Sequence, residues 1–289
     1  MADSALESGR VTGVGWTDVD RADASQAYVR YVDAATRSTT YKREALAALA
    51  LRPGSHVLDV GCGAGDDARA LAELVGPAGR VVGVDPSAAM IAEAQRRGTG
   101  GGTRAAIDFQ VGDIYRLSFP DGAFDVARAD RVFQHLADPL AALGELRRVV
   151  RPGGLVCVVD TVYESLVLDV ANRTLLSRIL NHCMDTITSG RIGTQLYGLL
   201  HRAGLGDVRV ATATFEAITD YAVANQLGDL HVLGERARAA GAITLEEHAE
   251  WVETVRALEE TGPFFEGFGV IGVVGTVPDS GTSGGSGIG

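Results

Sequence analysis

Lysine is almost missing from this chain. Lys42 is the one lysine among 26 basic residues; the rest are arginine. That bias suits a GC-rich genome and removes every lysine-dependent mechanism but one. Cysteine is scarce as well. Cys62, Cys157 and Cys183 cannot build a disulfide framework, and no Cys-x-x-Cys pair points to zinc. Metal ligation is therefore not expected. Positive charge is outnumbered by 37 acidic residues, giving a formal net charge of −11. A duplex or RNA binder needs a basic face, so no nucleic-acid partner is expected. Long apolar runs are also lacking. Stretches such as Leu155 to Val159 are far too short to span a membrane, and the start MADSALESGR has no apolar core of a signal peptide. A soluble cytoplasmic protein is the expectation.

What is present is enough apolar material for a real core. The 289 residues are 46% hydrophobic, which fits one large domain or a domain with a substantial cap. Residues 1–20 are polar and read as a loose segment. Helical spacing then runs from Ala22 to Arg37, through Tyr28 and Tyr31, and a second helix from Tyr41 to Leu51 stops at Arg52-Pro53-Gly54. Residues 21–52 are expected to form an N-terminal helical lid, and 53–278 the main domain.

Strands and helices alternate in that domain. Strands are expected at His56–Val60, Arg80–Val84, Ile107–Val111, Phe124–Ala129 and Leu155–Val159, with helices between them. Asp138-Pro139 is an N-cap followed by proline at the first helical position. Arg151-Pro152-Gly153-Gly154 reads as a turn. Such alternation argues for an α/β, doubly wound parallel sheet. Beyond it, Glu164 to Ala203 reads as helical and Val208 to Phe215 as a strand. Residues 219–259 read as a helical insertion, with a capping box at Thr244 and Glu247. Phe264 to Val277 returns to β character. The Gly/Ser-rich tail, 279–289, is expected to be disordered.

The chemistry lies at the strand ends. Gly61, Gly63 and Gly65 follow the first strand and open a helix, where a glycine backbone can approach a ligand closely. Asp59 precedes the loop and would repel a pyrophosphate but welcome a cationic amino group. Asp85 ends the second strand, where a carboxylate can take both hydroxyls of a ribose. Asp113 ends the third, where one can accept the amino group of adenine.

These motifs, Val57-Leu58-Asp59-Val60-Gly61-Cys62-Gly63-Ala64-Gly65, Val84-Asp85-Pro86-Ser87, Gly112-Asp113-Ile114 and Arg151-Pro152-Gly153-Gly154, resemble those of the class I S-adenosylmethionine-dependent methyltransferases. The subgroup resembled is the UbiE/COQ5-like, or type 11, one, many of whose members act on small molecules in bacterial secondary metabolism. Phe124-Asp125-Val126 and the run Arg131 to Pro139 are similar to that subgroup's fourth-strand region. The likeness is strong over residues 40–160. It implies a Rossmann-like seven-stranded sheet with an antiparallel last strand, helices on both faces, and a cap made of the N-terminal helices and an insertion between strands six and seven.

The resemblance also implies roles. S-adenosylmethionine is the expected cofactor, with S-adenosylhomocysteine as product. Gly61, Cys62, Gly63 and Gly65 would face its methionine part, and Asp59 would balance its amino group, directly or through water. Asp85 would hold the ribose, Asp113 and Ile114 the adenine, with Pro86 and Met90 packed on its faces. Ala129 and Arg131 would pass near the methionine end, and Arg37, Tyr41 or Lys42 could reach the carboxylate. Tyr28, Tyr31 and Tyr41 are candidate lid residues over the substrate. His135, His182 and Tyr163 are the candidate bases or acceptor contacts, each also readable as an ordinary structural residue.

Several family motifs are absent. There is no Asn/Asp-Pro-Pro-Tyr/Phe, no Pro-Cys pair, no second lysine, and no acidic pair after strand five. These absences argue against amino-group methylation of adenine or glutamine, cytosine C5 chemistry, ribose 2′-O methylation and magnesium-dependent catechol chemistry. The expectation is methyl transfer to a small, largely apolar acceptor of natural-product, terpenoid, polyketide, alkaloid or quinone type. The alternative is a cyclase or isomerase that binds the cofactor structurally. A homo-oligomer is compatible with either.

Overall fold

The computed structural model describes residues 40–98, 105–260 and 263–279. The helix expected over Ala22–Arg37, with Tyr28, Tyr31 and Arg37, lies outside the described residues, as do the loose segment 1–20 and the tail after Asp279. The chain enters through α1 (Thr40–Ala48) and continues as β1 (His56–Val60), α2 (Asp66–Val75), β2 (Arg80–Asp85), α3 (Ala88–Arg96), β3 (Ala106–Val111) and β4 (Phe124–Asp130). Then come α4 (Pro139–Val149), β5 (Val150–Leu168), α5 (Arg173–Thr186), α6 (Ile192–Arg202) and β6 (Gly206–Ile218). Helices α7 (Tyr221–Leu227), α8 (Leu230–Ala239) and α9 (Leu245–Glu260) precede β7 (Glu266–Thr276).

Among the described residues, seven strands make one sheet in the order β3-β2-β1-β4-β5-β7-β6. β1 to β5 pair in parallel, and β7 runs antiparallel to both β5 and β6. The inner strands are apolar on both faces because helices cover both sides. In β1, Leu58 and Val60 enter one core and Val57 the other. Strand order reverses between β1 and β4, so their carboxyl ends diverge into a crevice, where ligands of such sheets bind.

Local signals placed several elements well. Asp138 accepts the N–H of Ala141 at 2.9 Å and starts α4. Thr244 and Glu247 bond reciprocally, at 2.8 and 3.2 Å, and start α9. The stretch after β5 is corrected. Helix was expected from Glu164, yet β5 runs to Leu168 and α5 begins at Arg173. β7 supplies a partner ladder that overrides local preference. Two irregularities accommodate the length: the Arg151–Gly154 turn is a bulge between the Phe124–Val150 and Val126–Leu155 pairs, and a second lies between Val162 and Val167. Ser165 pins the second one, donating to the Val162 carbonyl and accepting the Gly269 N–H at 2.6 Å.

The helices between β6 and β7 build their own core with α5. Leu176, Ile179, Leu230, Trp251 and Val255 meet there, apart from the two sheet cores. Trp251 Nε1 donates to the Leu230 carbonyl at 2.7 Å, and Arg178 on α5 reaches both Glu247 and the Ala242 carbonyl at 2.8 Å. No helix among the described residues is long and apolar enough to cross a membrane.

Candidate active site

The crevice at the β1–β4 switch holds a cavity of about 210 Å³. Its floor is the glycine loop. Gly61 and Cys62 both donate to the Val84 carbonyl, at 2.7 and 3.1 Å, which ties the loop to the end of β2. Gly61 has φ 72°, and a Cβ there would collide with Val132. The loop is thus backbone facing open space, with no room for a side chain on the crowded side. Gly65 has φ 83° and meets the Phe109 ring behind the cavity instead.

Asp85 is held by two backbone donors, Gly63 N–H on Oδ2 and Ser87 N–H on Oδ1, both at 2.9 Å. Burial raises its pKa, and those two bonds oppose the rise. The arrangement fixes both oxygens at the lip of the cavity, alongside Pro86. Asp113 and Ile114 line the same wall, with Tyr115 beside them. Met90 and Ala129 are fully buried and line neither this cavity nor the second one, unlike the contacts expected of them. Cys62 lines the cavity, where burial pushes its thiol far up and keeps it neutral. It fills space and is no nucleophile.

The methionine end differs from expectation. Asp59 is not on the cavity wall; it lies behind, against Arg128, Nη1 to Oδ1 3.2 Å. Arg128 is 1% exposed and also meets Asp67 at 3.0 Å and Asp130 at 2.9 Å. Lys42, from α1, reaches Asp67 at 2.8 Å. Two cations thus face three carboxylates. Burial raises the Asp59 pKa against the pull of Arg128. At Asp67 burial also opposes ionisation, but Arg128 and Lys42 outweigh it and hold the carboxyl well below the usual range. Asp67 and Asp130 line the cavity, and Asp130 Oδ1 is a buried acceptor with no hydrogen-bond partner. Asp130 therefore lines the cavity while Asp59 stands behind it, with Arg131 Nε 4.0 Å from Asp130 Oδ1. The signal for this cluster was an arginine inside the apolar strand Phe124–Asp130. Tyr41 is buried beneath the cluster and lines neither cavity, so it is no lid residue.

A second cavity, about 130 Å³, adjoins the first. Arg131, Gln134 and His135 line both. Arg131 holds φ 56°, an uncommon value for a side-chain-bearing residue and one that clusters at functional sites. Buried Asp160 fixes this junction, accepting the Gln134 N–H at 3.0 Å and the Thr161 N–H at 2.9 Å. His135 is pushed down to about 4, by burial first and then by Arg131, so its ring is neutral near pH 7. Tyr163 lines the second cavity, and Cys183 does so from α5. The neighbouring His182 lines neither, a correction that follows from helix phase. The apolar walls, including Leu176, Ile179, Leu180, Leu230 and Trp251, carried no motif in the sequence.

S-adenosylmethionine fits the first cavity on these observations. The loop leaves room for its methionine part, Asp130 Oδ1 is a buried acceptor at the same wall, and Asp85 holds both oxygens in fixed positions as a diol would require. Comparison with known proteins agrees. The family described as "Methyltransferase domain" matches residues 58–158. An uncharacterized 37.1 kDa protein in transposon TN4556 of Streptomyces fradiae is 39% identical over 227 residues, covering 78% of this chain and 64% of that protein. The 2-phytyl-1,4-naphtoquinone methyltransferase of Synechococcus elongatus is 38% identical over 120 residues, 42% of this chain and 52% of that one. The chain spans between 38% and 64% of the length of curated relatives it matches. A solved structure of a candidate methyltransferase from Bacillus halodurans superposes with a TM-score of 0.59 over 84% of this chain and 100% of that one, at 16% identity, a likeness of fold. Residues 58–158 are thus similar to a methyltransferase domain, and the sheet around them has the fold of that solved structure.

Proposed function

We propose that the protein transfers a methyl group to a small, largely apolar acceptor held in the second cavity. The observation that carries this reading is the shared wall of Arg131, Gln134 and His135 between a cofactor-shaped cavity and an apolar one. S-adenosylmethionine supplies a methyl already activated on a sulfonium. What is left to the protein is alignment and the exclusion of water. Asp85, Asp113 and Asp130 would hold the cofactor's ribose, adenine and amino group. The insertion 219–259 would cover the acceptor through Leu230, Leu233 and Trp251. Its type is the natural-product, terpenoid, polyketide, alkaloid or quinone class.

His135 is the group placed to receive a proton from the acceptor. A base near 4 takes a proton from an oxonium or a ring-carbon cation, but not from an alkylammonium, whose pKa is about 10 by analogy with lysine. The reading therefore favours an oxygen or carbon acceptor over an amine nitrogen.

The test is a calorimetric titration of S-adenosylmethionine and S-adenosylhomocysteine into wild type and Asp85→Ala, followed by a screen of apolar acceptors by mass spectrometry. Binding lost in the variant and a product heavier by one methyl are expected. A product of unchanged mass would turn the reading to cyclisation or isomerisation. Turnover of polar or macromolecular acceptors alone would overturn the apolar assignment.

A further inference from the structure

At the far end of the acceptor cavity stands a carboxyl without a partner among the described residues. Glu266 opens β7 and is 7% exposed. Its backbone pairs with Leu168 of β5 and Ile218 of β6. Its side chain lines the cavity and makes no hydrogen bond or ion pair with any described residue. Leu166, Leu168, Leu230 and Phe268 share the wall with it. The other ionisable groups on that wall are engaged or distant. Asp229 caps α8 by accepting the N–H groups of His231 and Val232. Cys183 of α5 is kept neutral by burial. Tyr163 lies on β5, and Arg131 and His135 stand at the junction with the cofactor cavity.

The ladder sets the distance. Asp160, which braces the His135 turn, faces Ile271 on β7. Glu266 is five residues further along that strand, on the order of 15 Å at roughly 3.3 Å per residue. It is too far from the junction to touch the reacting atom. An uncompensated buried carboxyl is costly, and desolvation pushes this one up to about 7. A neutral donor such as a hydroxyl would be served equally by an amide at this position, without that cost. A cation offsets it.

We propose that Glu266 is a specificity-determining residue that receives the protonated amine of an elongated, apolar acceptor, whose reacting atom lies at the other end of the cavity beside His135. The amine is thus a handle and is not the methylated atom. This inference rests on the reading of the second cavity as the acceptor site, but it concerns binding and is tested without turnover.

The experiment is calorimetry at about pH 8, where the carboxyl is ionised, on the full chain saturated with S-adenosylhomocysteine. The probes are decylamine, decanol and decanoate. The wild type is expected to bind decylamine about tenfold or more tighter than decanol, the worth of one charge-assisted hydrogen bond, and decanoate most weakly. E266Q should erase the preference for the amine and relieve the penalty on decanoate while S-adenosylhomocysteine affinity stays unchanged. In the wild type the preference should fade as the pH drops below about 7, a readout that needs no variant. Equal binding of the three probes would overturn the role of Glu266 and leave the apolar cavity standing. An amine preference that survives in E266Q would do the same. No binding of any probe would sink both.

Discussion

The cofactor cavity is lined by Asp66, Asp67, Asp85, Asp113 and Asp130 and sits on the ends of β1, β2 and β4. The second, apolar cavity is lined by leucine, isoleucine, Phe268 and Trp251 and sits between strands β5 and β7 and the helices α5, α8 and α9. The first offers a ligand backbone groups and buried charge, which need fixed geometry. The second offers shape and apolar surface, which tolerate change, and one buried carboxyl at Glu266. The shared turn at Arg131 to His135 couples them. A charged ligand can thus be held by a rigid, common framework while the neighbouring apolar cavity is free to vary.

The largest expected effect attacks the charged half. Arg128→Met leaves Asp59, Asp67 and Asp130 without their common cation, so stability should fall by about 3–5 kcal/mol. Urea denaturation reads this, and a loss under 1 kcal/mol, the range of a surface pair, would mean the cluster is not an integrated unit. Next, Asp85→Ala should weaken S-adenosylhomocysteine by about 100-fold, the worth of two hydrogen bonds to a charged group. Decylamine binding should be retained, and a parallel loss of both ligands would show that the cavities are not separable in this way.

Filling the apolar half should do the reverse. Leu180→Trp should lower turnover of an apolar acceptor by about tenfold or more through misplacement, with S-adenosylhomocysteine affinity unchanged in calorimetry. The smallest effect concerns pH. Glu266 is raised from 4.5 to about 7, so the native state holds its proton more tightly than the unfolded chain. Its contribution to stability is complete below about 4.5 and is lost as the pH rises through 7. E266Q should therefore melt a few degrees (~2–5 °C) above wild type at pH 8 and level with it at pH 4. Equal melting at both would mean that Glu266 is relieved by a group not on this wall.

Much of the cofactor half was legible because its signals are local. Gly61, Asp85 and Asp113 each end a strand, and a few residues of flanking sequence determine the turn that follows. The buried partner of Asp59 was hidden for the same reason. A strand-end carboxylate looks alike in sequence whether it faces a ligand or an arginine 69 residues away. Tyr163 and His182 were both placed near the acceptor by their distance after strand five. The bulge at Ser165 then carried β5 on to Leu168, and helix phase turned His182 away from the cavity while Cys183 faced it.

The sequence by itself determined the alternation of strands and helices, the glycine loop, the caps of α4 and α9, and the carboxylates at the ends of β2 and β3. These depend on contacts within a turn or two, where residue type alone decides backbone conformation. Only the tertiary structure decided that β7 lies between β5 and β6, that Arg128 gathers three carboxylates, and that Glu266 faces the cavity shared with His135. Those outcomes rest on pairings across tens of residues, and their energy comes from burial and ladder partners that no local window contains.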